Sequence, residues 1–269
     1  MRLIDSHCHL QAGAFAADVA DVLASARSIG VERVLAPGYD LDSSVASVEL
    51  ARTLGVDAAV GIHPHVAEGS EGVWPEILAL ASDSTVVAIG ETGLDYDRGF
   101  SSREAQLANL ERHLRLAKEL QKPAILHCRS KAGHRDAHDD LIRVLNLCKS
   151  PPALLHSFSG PVDYAERALE MGLAISFSGL VFRKGEEVST EVARLTPADR
   201  LLVETDSPYL SPPGAPRRRN EPRYVQITAR WLAQQRNQDP DELGAQLVAN
   251  YDRIFSRPPN PTDPSRGAP

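Results

Sequence analysis

The chain has 269 residues, 42% of them hydrophobic, and a formal net charge of −7. That is enough apolar material for one well-filled core, and the charge excludes a basic surface that would coat nucleic acid nonspecifically. It leaves room for a nucleic-acid enzyme whose local positive charge comes from metal ions.

The chain opens on Leu3-Ile4-Asp5-Ser6-His7-Cys8-His9-Leu10, whose first residues read as a short buried strand. Strand alternation sends His7 and His9 to one face and Cys8 to the other, and two imidazoles converging at a strand end make half of a metal site. A helix is predicted over 15–29, stopped by Gly30, and a second strand over 31–36. A helix over 41–54 ends at Gly55, and a third strand over 57–62 runs into His63-Pro64-His65. The fourth strand, 85–90, ends in Gly90-Glu91-Thr92-Gly93-Leu94-Asp95-Tyr96. An amphipathic helix over 102–120 leads to a fifth strand, 123–126, ending in His127-Cys128-Arg129. Residues 130–138 read as a polar surface insertion, with a helix following over 139–149. The sixth strand ends at His156, the seventh at Ser178-Gly179, and the eighth runs into Glu204-Thr205-Asp206. Two helices, 224–235 and 241–255, close the pattern.

Eight strand–helix alternations without a composition break predict a single (β/α)8 TIM barrel over 1–256, with a disordered tail over 257–269. An open doubly wound sheet is disfavoured, because no Gly-rich fingerprint follows the first strand and polar residues cap strands throughout the chain. In a barrel those caps gather at the carboxyl ends of the strands. His7, His9, Glu91, His127, His156 and Asp206 are too many for one tetrahedral ion with an open position. Two ions bridged by Glu91 fit better, with His7, His9 and Asp206 on one and His127 and His156 on the other. Two divalent cations, Mg, Mn or Zn, so placed would activate a water and clamp the oxygens of a phosphoryl centre, with Asp206 and Glu91 as the catalytic carboxylates. His63, His65, Arg129 and Glu204 are read as substrate-side or supporting residues, and Arg129 as a phosphate clamp. Phe158 and Phe182 are candidate stacking surfaces for bases, although core packing suits at least one of them better. His113, in mid-helix, is given no role.

These motifs resemble the TatD family of metal-dependent deoxyribonucleases. Those that carry the likeness are Asp5-Ser-His-Cys-His9, Gly61-Ile-His-Pro-His65, Ile89-Gly-Glu-Thr-Gly-Leu-Asp95-Tyr96, His156-Ser-Phe-Ser-Gly160, Ile175-Ser-Phe-Ser-Gly179 and Glu204-Thr-Asp-Ser-Pro-Tyr-Leu210. The likeness spans almost the whole chain in the family's order. It implies a hydrolase of the amidohydrolase superfamily acting on DNA, most readily as a 3′–5′ exonuclease on single-stranded ends, in DNA repair or degradation. By matching position it implies the same six metal ligands. The longer segment 130–138 departs from the family pattern and adds His134 and His138. An ester or amide hydrolase, such as an aminoacyl-tRNA deacylase, is the competing expectation, and a metal-binding barrel without turnover the remote one.

Three cysteines (Cys8, Cys128, Cys148) without CxxC spacing suit a reduced, intracellular compartment; the family resemblance implies a cytoplasmic protein, and a monomer is expected. No charged-then-apolar leader opens the chain and no apolar run would span a bilayer, so no membrane partner is expected.

Overall fold

The computed structural model describes residues 1–255; the tail expected over 257–269 lies outside the described residues. Its strands and helices alternate as β1 (Leu3–Asp5), α1 (Val19–Ser28), β2 (Val31–Pro37), α2 (Leu41–Leu54), β3 (Asp57–Val60), α3 (Trp74–Ala81), β4 (Val86–Asp95) and α4 (Arg103–Glu119). They continue as β5 (Ala124–Arg129), α5 (Asp136–Cys148), β6 (Ala153–Leu155), α6 (Val162–Glu170), β7 (Ala174–Phe177), α7 (Val188–Leu195), β8 (Leu201–Val203), α8 (Val225–Arg236) and α9 (Pro240–Ile254). All neighbouring strands pair in parallel, in the order β1 to β8. Ser6 joins the ends of the sheet: its backbone N–H donates to the Val203 carbonyl at 3.1 Å and its hydroxyl to the same oxygen at 3.0 Å. The result is the expected (β/α)8 barrel.

Local chemistry explains where the helices start and stop. Asp40 accepts from the Ser43 N–H while the Ser43 hydroxyl faces back toward the Asp40 backbone, a capping box that starts α2, and Gly55 ends it with φ 68°. Ser102 caps α4 by accepting from Ala105, and Asp239 before Pro240 caps α9. The strands carry buried Ile4, Leu35, Ile89, Ile125, Leu126, Leu154 and Ile175, and the helices cover them with Leu23, Leu110, Leu141, Leu232 and Leu247. Each such side chain contributes about 1.5–3 kcal/mol on burial.

Several boundaries differ from expectation. The first helix begins at Val19; before it a 3₁₀ turn over Gly13–Phe15 buries the Phe15 ring. β4 continues beyond Gly90 to Asp95, because Thr92 to Asp95 pair with Leu126 to Arg129 of β5. α5 starts at Asp136, so the irregular segment covers only 130–135. His138 is not part of a surface insertion: it is 6% exposed, its ring 4.5 Å from that of Tyr164 on α6.

Candidate metal centre

Glu91 lies at the centre of the carboxyl-terminal mouth. Its Oε1 is 2.8 Å from His156 Nε2, 3.1 Å from His127 Nδ1 and 3.2 Å from His63 Nε2. Its Oε2 is 3.3 Å from His7 Nε2 and 3.7 Å from His9 Nε2. Asp206 Oδ1 closes the other side, 3.4 Å from His9 Nε2 and 3.8 Å from His7 Nε2. Three groups thereby bring ligand atoms within 4.8 Å of one another: His7 with His156 and Asp206, His7 with His9 and Glu91, and His63 with Glu91 and His127.

This geometry fits divalent cations better than hydrogen bonding alone. Five imidazoles converge on one carboxylate. Some ring nitrogens also face each other directly: His7 Nε2 and His9 Nε2 at 3.3 Å, His127 Nδ1 and His156 Nε2 at 3.2 Å. Neutral imidazole offers one donor and one lone pair, so nitrogens this crowded direct lone pairs into a shared space that a cation satisfies. Burial would push the Glu91 carboxyl up, but the surrounding imidazoles, His156 foremost, outweigh it and hold it well below the usual range. Burial likewise opposes ionisation of Asp206, but the His9 hydrogen bond together with the charges of His9, His7 and His156 outweighs it, so Asp206 is a carboxylate at neutral pH. Burial pushes His63 down to about 4, leaving it a neutral ligand-type imidazole.

The β1 and β8 ends are tied together by short polar side chains. The Asp5 carboxylate accepts from the Thr205 N–H at 2.9 Å and the Thr205 hydroxyl at 2.6 Å. The Thr205 and Ser207 hydroxyls pair at 2.7 Å, and Ser207 meets Cys8 Sγ at 2.9 Å, which accounts for Cys8 pointing away from the ligands. The Asp206 N–H donates to the His7 carbonyl at 2.9 Å, and Asp206 holds φ 53°, a left-handed conformation costing about 1–2 kcal/mol in a non-glycine residue. Asn220 then secures the following loop, donating to the carbonyls of Thr205 and Tyr209.

The β3, β4 and β5 ends are held differently, by a polar ridge on α4. His113 Nε2 accepts from the Ile62 N–H at 3.0 Å, and Asn109 Nδ2 donates to the Ile62 carbonyl at 2.7 Å. The N–H and the carbonyl of Ile62, the residue before His63, are thus both fixed. His113 Nδ1 donates to the Asn109 carbonyl at 2.7 Å, and Asn109 also reaches the Thr92 hydroxyl at 3.2 Å. One turn earlier Gln106 accepts from the Asp95 N–H at 2.8 Å and donates to the Asp95 carbonyl at 3.1 Å. The buried Asp95 carboxylate in turn holds His65 Nε2 at 2.7 Å and lies 3.4 Å from His127 Nε2. Gly93 lets β4 and β5 approach: its φ is 143°, and a methyl there would overlap the His127 carbonyl oxygen.

The structure therefore revises several sequence readings. His63, read as substrate-side, stands with Glu91 and His127 among the clustered ligand atoms. Glu204, read as substrate-side or supporting, takes the supporting place: it is fully buried behind His156, whose Nδ1 lies 3.1 Å from its Oε1. His65 is at the rim, 32% exposed and oriented by Asp95. Arg129 is half-exposed and paired with Asp97 at 3.1 Å. Phe158 is buried in the core, and Phe182 packs against Trp231. In the run Arg217-Arg218-Arg219 that follows β8, Arg217 and Arg218 are exposed, whereas Arg219 is tied to both oxygens of Asp18 at 2.6 and 2.7 Å. His113, given no role, is fully buried and fixes the β3 end. Asp5 and Asp95 both lie in the motifs, yet only their contacts reveal that they orient other residues.

A parallel eight-stranded barrel with histidines and carboxylates ringed at its carboxyl mouth defines the class of metal-dependent barrel hydrolases. Within that class the chain belongs to the TatD related DNase family, whose model matches residues 4–256. It is 37% identical over 263 residues to a Citrobacter rodentium protein named 3′-5′ ssDNA/RNA exonuclease TatD, covering 94% of this chain and 97% of that one. A Buchnera aphidicola protein named as an uncharacterized metal-dependent hydrolase is 32% identical, covering 96% of this chain and 97% of its own length. The crystal structure of YJJV, a TatD homologue from Escherichia coli, superposes with a TM-score of 0.84 at 29% identity, covering 96% of this chain and 99% of that one. No helix among the described residues is long and apolar enough to cross a membrane.

Proposed function

We propose that the protein is a metal-dependent exonuclease that hydrolyses phosphodiester bonds from the 3′ end of single-stranded DNA. The observation that carries this reading is the sharing of Glu91 between ligand groups on both sides of the mouth. The names of the relatives, which include single-stranded DNA and RNA exonuclease, support it over an ester or amide hydrolase.

Two divalent cations suit the donor set. His7, His9, Asp206 and Glu91 would hold one; Glu91, His127, His156 and His63 would hold the other. Bound there, such ions supply Lewis acidity, lowering the pKa of a water and neutralising phosphate charge. The protein's own groups do the rest. Asp206, 15% exposed and held ionised, takes a proton at its carboxylate from the attacking water. Glu204 accepts from His156 and keeps that ring turned toward Glu91. Asp95 does the same for His65 at the rim. Arg129 stands half-exposed at the end of β5, where a guanidinium fork suits a phosphate oxygen.

The test is digestion of end-labelled single-stranded DNA and RNA by chelator-stripped protein resupplied with Mg, Mn or Zn. A ladder shortening from the 3′ end, dependent on metal and absent in Asp206→Ala, is expected. Absence of cleavage with every ion, together with release of acid or amine from aminoacyl or amide substrates, would overturn the reading.

A further inference from the structure

The large exposed hydrophobics among the described residues include two aromatic rings, Phe100 at 67% and Tyr209 at 57% exposed, and both stand beside histidines of the site. Tyr209 lies 5.9 Å from the His9 ring. Phe100 stands edge-on to His65, with ring centroids 4.9 Å apart and planes at 85°. His65 is itself 6.2 Å from His127, so the Phe100 ring sits one imidazole outward from the ligand cluster on the β4 and β5 side.

Phe100 is not a chance excursion of a loose loop, because the backbone on both sides of it is fastened. Asp95 Oδ1 accepts from the N–H groups of Asp97 and Arg98 at 3.0 and 2.9 Å. The buried Ser101 hydroxyl donates to the His65 carbonyl at 3.1 Å and accepts from the Glu68 N–H at 3.1 Å. The Ser101 carbonyl accepts from Gln106 at 2.9 Å, and the Glu68 carboxylate holds the Ser102 N–H and hydroxyl. Nearby Tyr96 lies under the Arg103 guanidinium, whereas the Phe100 ring is offered to water. A fastened loop that holds an apolar ring in water beside a reactive centre forgoes burial that the chain could otherwise gain.

We infer that Phe100 is a stacking platform for a nucleobase of the substrate strand, a substrate-binding role that rests on the exonuclease reading above. The chain's charge supports this assignment. With a net charge of −7 the protein has no overall attraction for a polyanion, so affinity for a strand must come from the site and from contacts that ignore charge. The face of a nucleobase is such a contact, available on every base and therefore tolerant of sequence. Arg98, exposed two residues earlier, supplies a cation for the adjoining phosphate.

The experiment compares wild-type, Phe100→Ala and Phe100→Trp proteins, metal-loaded, on single-stranded oligonucleotides. A single abasic residue is walked base by base from the 3′ end. On the intact strand Phe100→Ala should raise KM about tenfold with little change in kcat, and Phe100→Trp should restore it. At one abasic position wild type should lose the same factor while Phe100→Ala loses nothing further. Equal KM for Phe100→Ala and wild type on intact strands would overturn the inference. So would losses that multiply at every abasic position. Failure of the wild-type protein to digest any strand would instead bring down the exonuclease reading, and this inference with it.

Discussion

The two sides of the mouth hold their ligands by different means. On the β1 and β8 side, the residues that hold are neighbours of the residues held: Asp5 precedes His7, and Thr205 and Ser207 flank Asp206. On the β3 to β5 side, Gln106, Asn109 and His113 reach from α4 to grip the backbone around Ile62 and Asp95. A motif can contain its own support, or it can depend on a helix whose sequence shows no chemistry. Glu91 touches both sides, and His156 beside it stacks on His7 with ring centroids 3.9 Å apart while its Nε2 meets His127 at 3.2 Å.

The largest expected effect therefore belongs to Glu91. Glu91→Ala should lower turnover by about a thousandfold or more, the scale of losing an electrostatic group at a reacting centre, while circular dichroism shows a folded barrel. Asp206→Ala should match it. Wild-type turnover in either folded variant would refute the assigned site.

Next comes the helix ridge. Asn109→Ala leaves the buried Ile62 carbonyl and Thr92 hydroxyl short of a donor, which should cost about 1–3 kcal/mol in urea unfolding. Its damage to metal retention should fall on the His63 and His127 side. If equilibrium dialysis showed equal loss from both sides, the division drawn between them would not stand.

A pH experiment sharpens the same contrast. Burial pushes His113 down to about 3 from an ordinary 6.5. Below pH 6.5 the unfolded chain takes up a proton there that the folded chain refuses, so His113 lowers stability progressively as pH falls from 6.5 toward about 3. The slope approaches about 1.4 kcal/mol per pH unit. His113→Gln should be flatter than wild type across that window in thermal or urea melts, and parallel curves would contradict the assignment. The smallest effect is expected at Arg129. Arg129→Ala should raise KM for a strand severalfold, with less loss at high salt, as measured by initial rates, because the group is half-exposed and already paired with Asp97.

The contrast also explains what sequence reasoning could see. Alternating apolar runs and turn residues gave away the barrel, since period and punctuation are local properties. His7, His9, His127 and His156 were visible because each follows an apolar strand. The end of β4 was not: Gly90 looks like a stop, yet the backbone pairs onward to Asp95 because β5 lies alongside. His113 was passed over because a helical period says which face is buried, not which backbone groups a polar side chain on that face will meet. Phe158 and Phe182 were the aromatic rings considered as stacking surfaces, while exposure beside His65 singles out Phe100.

The Asp5–Thr205 bonds join residues 200 positions apart. During synthesis the β3 to β5 half of the site, with its α4 support, is complete long before β8 leaves the ribosome. The β1 half must wait, its histidines without Asp206 or Thr205, until nearly the whole barrel exists. A chain broken off before β8 would contain the β3 to β5 residues but lack the carboxylate assigned to proton transfer, so reactivity arrives only with the final strand, when the ring of strands closes.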